Sequence, residues 1–208
     1  LYLRCNIPIG KGMGSSGAIC ASVYDRYCND KNISLSSTQH RLADLENYFH
    51  GNSSGIDPLV SYYNTGILKL DCVTYEKQII GDFFNKWYLI DSGVSRSTAA
   101  LVGKYNQYLK GDDFQDNFVL PVKKLVDSGI TRFLKNKDVY EDVCKIGNLQ
   151  YEYLSDMIHK NVKPLWKQSL ESDEFAMKVC GAGGGGMYLA CARKEIRWNE
   201  VTDLKVIS

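Results

Sequence analysis

Residues 10–18 read Gly-Lys-Gly-Met-Gly-Ser-Ser-Gly-Ala. The run follows a stretch with strand character, Tyr2 to Ile9, and leads into one with helix character, Ala18 to Cys28. A glycine-rich turn feeding a helix N-terminus is a phosphate cradle. Glycine lets the backbone approach an anion, the first helical N–H groups lack partners inside the helix, and the helix dipole favours negative charge. Ser15 and Ser16 add hydroxyls able to bind a phosphate oxygen or Mg²⁺. Taken alone, the run leaves two readings open: a nucleotide phosphate site and a structural turn. Gly12-x-Gly14-x-x-Gly17 satisfies the dinucleotide fingerprint, but that site also needs a strand ending in an acidic residue about 20 residues on. The chain there reads Ser34-Leu35-Ser36-Ser37-Thr38, which speaks against an NAD-dependent oxidoreductase. No Gly-Lys-Ser/Thr closes the run, so it is not a Walker A loop.

The second informative stretch runs from Glu46 to Asp57: Glu-Asn-Tyr-Phe-His-Gly-Asn-Ser-Ser-Gly-Ile-Asp. Glu46 falls in the last turn of an expected helix, and Asp57 is expected to cap the next. A Gly/Ser loop joins them. The arrangement can fold two carboxylates into one pocket, one to hold Mg²⁺ and one to accept a proton. It equally describes a surface glutamate and an ordinary helix cap.

The elements around these residues alternate first and turn helical later. A helix is expected from Thr38 to Phe49, capped by Ser36 or Ser37, with Leu42, Leu45 and Phe49 as its apolar stripe and Gly51 as its stop. A short helix should start at Asp57-Pro58. Strands are expected at 67–70, 75–80 and 87–91, then helices at 98–110, 114–135, 139–159 and 164–170. A strand pair, 175–180 and 187–192, closes the pattern around a second glycine-rich turn, Gly181 to Gly186. The composition shifts near residues 84–92, predicting domains at 1–84 and 85–208.

The 208 residues are enough for one large or two small domains. A net charge of +1, with 24% charged and 44% hydrophobic residues, is ordinary for a soluble domain and offers no nucleic-acid surface. No apolar run has the length of a membrane span. The seven cysteines form no C-x-x-C pair and are expected to be reduced thiols of a cytoplasmic protein. His40 and His159 are expected on helix surfaces. The chain opens at Leu1 rather than at methionine, from which an upstream portion is expected.

Together the motifs resemble those of the GHMP kinases. Ile7–Ala18 is similar to the family's second motif, P-x-G-x-G-L-G-S-S-A, with Met13 for leucine and Gly17 before Ala18. Lys178-Val-Cys-Gly-Ala-Gly-Gly-Gly-Gly186 is similar to the third, K-L-T-G-A-G-G-G-G. Glu46–Asp57 resembles the mevalonate kinase version of the middle, E-x-x-x-H-G-x-P-S-G-x-D, with Ser53 in place of the common proline. Ser95-Arg96-Ser97-Thr98 looks like the family's R-S-T segment. The resemblance implies an α+β, two-domain fold, with an S5-domain-2-like N-terminal part, a ferredoxin-like C-terminal part and the active site in the interdomain cleft.

By that resemblance, the loop of Gly10, Gly12, Gly14 and Ser15 would hold the phosphates of ATP, supported by Gly183. Ser16 and Glu46 would ligate Mg²⁺. Asp57 would be the catalytic base. His50 would either contact the substrate or support its loop. Arg96 would either meet a substrate carboxylate or be a solvated arginine, and Thr98 would cap a helix and line the pocket. The implied activity is ATP-dependent phosphorylation of a small-molecule alcohol, mevalonate first, in isoprenoid precursor synthesis. The alternatives are a sugar or sugar phosphate as acceptor, or a non-catalytic nucleotide-binding relative. A homodimer is a further expectation; nucleic-acid and membrane partners are not expected. The family's first motif, with a lysine near the reacting phosphate, does not occur in this sequence.

Overall fold

The computed structural model describes residues 2–70, 73–77, 84–95 and 98–208; for His50, Leu70, residues 73–77, Thr98 and Ala99 it describes the backbone alone. Two compact units emerge, Leu1–Ile9 with Met13–Gly81 and Gly10–Gly12 with Asp82–Ser208.

The first unit holds α1 (Ser15–Tyr27), α2 (Leu35–His50), α3 (Ile56–Tyr63) and an antiparallel hairpin of β1 (Gly66–Leu70) and β2 (Val73–Lys77). Its core is Tyr24, Leu42 and Leu59, one from each helix, with Tyr62 set edge-on to Tyr24 at 5.1 Å. Residues 2–9 form no strand. Pro8 has no N–H to offer a ladder, and no described strand lies alongside to accept the rest.

Two expectations about α2 and α3 need correcting. The cap of α2 is Ser34, whose hydroxyl accepts from the Ser37 N–H, so Ser36 and Ser37 are already helical. The buried row is Thr38, Leu42 and Glu46, spaced by four, while Leu45 and Phe49 are 37% and 53% exposed. The hydrophobic pattern misplaced that face because one of its positions carries a carboxylate. Gly51, at φ 73°, ends α2 as expected. The helix after it starts at Ile56 with Gly55 as cap, so Asp57 lies inside the first turn and is not the cap. Gly55 is held against α2 so closely that a Cβ there would sit 2.4 Å from the Gln39 carbonyl oxygen. That contact fixes where the helix can begin.

The second unit is built on an antiparallel sheet of β3 (Lys86–Asp91), β4 (Phe175–Val179), β5 (Met187–Ala192) and β6 (Lys205–Ile207), ordered β4-β5-β3-β6. Leu89 stands opposite Leu189 on one side and Ile207 on the other. Helices fill the connections: α4 (Thr98–Tyr108), α5 (Asp112–Phe114), α6 (Leu120–Phe133), α7 (Tyr140–Tyr153), α8 (Lys163–Glu171) and α9 (Trp198–Val201). The succession is the β-α-β-β-α-β plan of a ferredoxin-like sheet. A π-helical turn, Gln115–Val119, joins α5 to α6 and lets Phe114 and Phe118 stack at 4.7 Å. Neither α9 nor β6 was expected, because one turn and three residues are too short to show a period.

Trp166, Phe175, Tyr188 and Ile90 are fully buried at the centre of the sheet core, each contributing on the order of 2 kcal/mol by burial. The helix expected to reach His159 ends at Tyr153, and a 3₁₀ turn, Ser155–Met157, follows. There the Met157 carbonyl turns away to accept from the Gly184 N–H at 2.6 Å. His159 therefore lies beyond the helix, its N–H donating to the Tyr188 hydroxyl. No described helix is long and apolar enough to cross a membrane.

Helix α7 rests on β4 at Gly147, where an added Cβ would lie 2.2 Å from the Met177 carbonyl oxygen. Gly147→Ala gains about 1 kcal/mol of helix propensity but must lift the helix off the strand. We expect a net loss of about 2 kcal/mol, read as a lower urea midpoint. A variant as stable as the parent would show that this contact yields.

Candidate active site

The glycine turn is divided between the units: Gly10–Gly12 belong with the second and Met13 onward with the first. Gly10, Gly12 and Gly14 all have φ between 71° and 75°, conformations open to glycine at little strain. Gly14 caps α1 and brings no side chain to its first turn. The first turn of this thirteen-residue helix thus has no side-chain cap from Gly14.

In the first unit, the Ser16 hydroxyl donates to Glu46 Oε1 at 2.9 Å. The Ser53 hydroxyl donates to Glu46 Oε2 at 2.5 Å. Glu46 is only 5% exposed. A buried carboxylate must be hydrogen-bonded or paired, and here each oxygen has a serine. One turn beyond Ser16, the Cys20 thiol is pushed up by burial and secondly by the charge of Glu46.

Asp57 comes to the same turn by a close crossing of helices. A Cβ on Gly17 would lie 2.8 Å from the Pro58 nitrogen and 3.0 Å from the Asp57 Cβ. A Cβ on Gly14 would lie 3.9 Å from Asp57 Oδ2. Asp57 is solvent-exposed, and its carboxylate stands beside Gly14 of the glycine turn.

In the second unit, Lys11 was not singled out from sequence, although a lysine inside a glycine run is itself a signal. Its ammonium pairs with Asp91 Oδ1 at 2.7 Å, the two side chains 17% and 15% exposed. Burial pushes the Asp91 carboxyl up, but the Lys11 ammonium and the Gly93 N–H outweigh this and hold it below the ordinary value. The Lys11 carbonyl accepts from the Met187 N–H, and a Cβ on Gly186 would strike it at 2.4 Å. Gly183 is buried, where a Cβ would meet the Met157 carbonyl oxygen at 2.8 Å. The second glycine loop thus packs on the stretch around Lys11.

Arg96 lies outside the described residues, as do the side chains of His50 and Thr98; the backbone places His50 at the end of α2 and Thr98 at the start of α4. His40 is exposed on α2. Among the described residues, no three His, Cys, Asp or Glu gather as a self-sufficient metal site.

Residues 1–65 match the GHMP kinases N terminal domain. Over 207 residues the chain is 27% identical to a mevalonate kinase of Pyrococcus horikoshii, covering 91% of this chain and 58% of that protein. It is 23% identical to a mevalonate kinase of Dictyostelium discoideum, covering 99% of this chain and 61% of that one. The solved mevalonate kinase of Methanococcus jannaschii superposes with a TM-score of 0.68 at 20% identity, covering 98% of this chain and 65% of the other. The chain has the GHMP kinase fold. It spans about three-fifths of the length of the curated relatives it matches.

Gly14, Ser16, Glu46 and Asp57 all belong to the first unit. The Lys11–Asp91 pair in the second unit can be tested separately. Asp91 is held below its ordinary value of 3.8, so the pair contributes stability above about pH 4 and loses it as pH falls through the depressed value. Asp91→Asn should lower stability near pH 7 by about 1–2 kcal/mol. The gap to the parent should close as pH falls through the depressed value, measured by urea unfolding. A gap constant across that range would mean that the pair is not coupled to folding.

Proposed function

We propose that this chain is the greater part of an ATP-dependent kinase acting on a small-molecule alcohol, with mevalonate as the favoured acceptor. The observation that carries the reading is the Ser16–Glu46 pair, 2.9 Å apart, at the start of the helix that the glycine turn feeds. The Glu-x-x-x-His-Gly…Ser-Gly-Ile-Asp pattern and the mevalonate kinases among the relatives support mevalonate over a sugar.

The donor set fits a hard cation. A hydroxyl and a carboxylate are oxygen ligands, and Mg²⁺ takes one or two carboxylates with the rest of its shell from phosphates and water. Bound there, the ion would neutralise charge on the transferring phosphoryl group. The N–H groups of Gly12, Gly14 and Ser15 would bind phosphate oxygens, with Gly10 giving the turn its shape. Asp57, beside Gly14, would take the proton of the acceptor hydroxyl as the hydroxyl oxygen bonds to the γ-phosphorus and ADP leaves. His50, Arg96 and Thr98 are assigned to the acceptor side. Phosphoryl transfer depends on positioning and charge more than on covalent chemistry by the protein.

The direct test incubates the full-length protein with Mg·ATP and a panel of mevalonate, homoserine, galactose and sugar phosphates, and follows ADP and the phosphorylated product by mass spectrometry. Mevalonate should give the highest kcat/KM. Turnover of a sugar instead would keep the kinase and replace the acceptor. ATP binding without transfer to any alcohol would point to a non-catalytic relative.

Two variants test the roles. Glu46→Gln should raise the Mg²⁺ requirement and recover partly at high Mg²⁺; unchanged activity at limiting Mg²⁺ would remove Glu46 from the ion's shell. Asp57→Asn should cut kcat by about 10²–10⁴ while ATP still binds, since asparagine keeps the shape but cannot take the proton. Full turnover by that variant would remove Asp57 as base.

A further inference from the structure

We propose that Ser53 is a positioning residue for the ion site, setting the Glu46 carboxylate through its hydroxyl; the proposal rests on the kinase reading above. Three hydrogen bonds place Ser53. Its backbone N–H donates to Asn47 Oδ1 at 2.6 Å, its hydroxyl oxygen accepts from the Gly55 N–H at 3.0 Å, and the hydroxyl donates to Glu46 Oε2 at 2.5 Å. The hydroxyl has one proton. With an N–H facing its oxygen from Gly55, that proton is directed to the carboxylate. A proline, common at this position in the pattern the chain resembles, has neither the hydroxyl nor the N–H.

The loop that carries Ser53 is fixed independently. Gln39 Nε2 donates to the Ser54 carbonyl at 2.7 Å, and Gly55 abuts the Gln39 backbone. Ser53 therefore reaches Glu46 from a rigid base, while Ser16 reaches the other oxygen from α1. With Oε2 held, the carboxylate plane is set and Oε1 stays with the Ser16 hydroxyl oxygen. Groups that orient a ligand in this way typically change metal affinity by about 10–100-fold when removed. Without the Ser53 hydroxyl, Oε2 would be a buried acceptor lacking that partner, and the carboxylate would turn to find another.

The experiment uses Mn²⁺ as the probe. Binding of Mn²⁺ in the presence of ADP is read by electron paramagnetic resonance on the full-length protein and its Ser53→Ala, Ser53→Pro, Ser53→Thr and Glu46→Gln variants, below their melting temperatures. Ser53→Ala and Ser53→Pro should weaken Mn²⁺ about tenfold, with KM for the acceptor unchanged; Ser53→Thr should bind like the parent. Ser53→Val is the second control, since it shares the shape of threonine without the hydroxyl. If the alanine or proline variant folds poorly, the threonine–valine pair decides. Equal Mn²⁺ binding by folded variants with and without the hydroxyl overturns the proposal. If the parent binds Mn²⁺·ADP no better than Glu46→Gln does, the ion-site reading itself fails, which is a different result.

Discussion

The crossing of α1 and α3 at Gly17 is the constraint from which the first unit's site follows. Asp57 and Pro58 pass so near that a Cβ on Gly17 would lie 2.8–3.0 Å from three of their atoms. Two of those are backbone atoms, which cannot swing aside. Only glycine lets the N-terminal turns of the two helices meet at this distance. The meeting puts the Asp57 carboxylate next to Gly14. Three glycines within six residues thus do different work. Gly12 and Gly14 shape the turn, with φ of 72° and 71°, and Gly17 admits a neighbouring helix.

Burying Glu46 sets the second requirement. A carboxylate taken from water is tolerated only when its oxygens are bonded. Among the described residues, the chain meets this with two serine hydroxyls. Serine hydroxyls satisfy the oxygens without neutralising the negative charge, as a lysine or arginine would. The helix accommodates this by giving Glu46 a place in its buried row, where an apolar residue would otherwise sit, with Leu45 and Phe49 turned outward. A buried polar position that local patterning would not choose is a mark of function over stability.

This is also why the sequence was legible in some places and not in others. Glycine turns, the Gly51 stop and the strand pair 175–180 and 187–192 carry strong local signals, and the structure has them where those signals fall, to within a residue. The spacing of Glu46 and Asp57 was visible as a pattern, but their relation in space depends on the Gly17 crossing, which no local period reports. The stripe of α2 was misread because amphipathicity counts a buried glutamate as polar and outward. Asp57 was misread as a cap because Asp-Pro is a common helix start; the cap is Gly55, two residues upstream, held tightly against Gln39. Lys11 was overlooked because its partner, Asp91, is 80 residues away.

The two glycine-rich loops show how little a literal motif decides. Gly12-x-Gly14-x-x-Gly17 and Gly181-x-Gly183-x-x-Gly186 match the same fingerprint. The first feeds a helix of thirteen residues, so its amides and the helix dipole point the same way, toward an anion. The second feeds strand β5 and has no helix dipole behind it. Its glycines are used for close approach instead: Gly183 to the Met157 carbonyl, Gly184 to the Leu101 side chain and Gly186 to the Lys11 carbonyl, each at a distance that excludes a Cβ. Side-chain-free backbone is used in both loops, in one for a turn of positive φ and in the other for close approach by the protein itself. The element downstream of each loop, helix or strand, separates the two uses, and that much was readable from the hydrophobic period after each run.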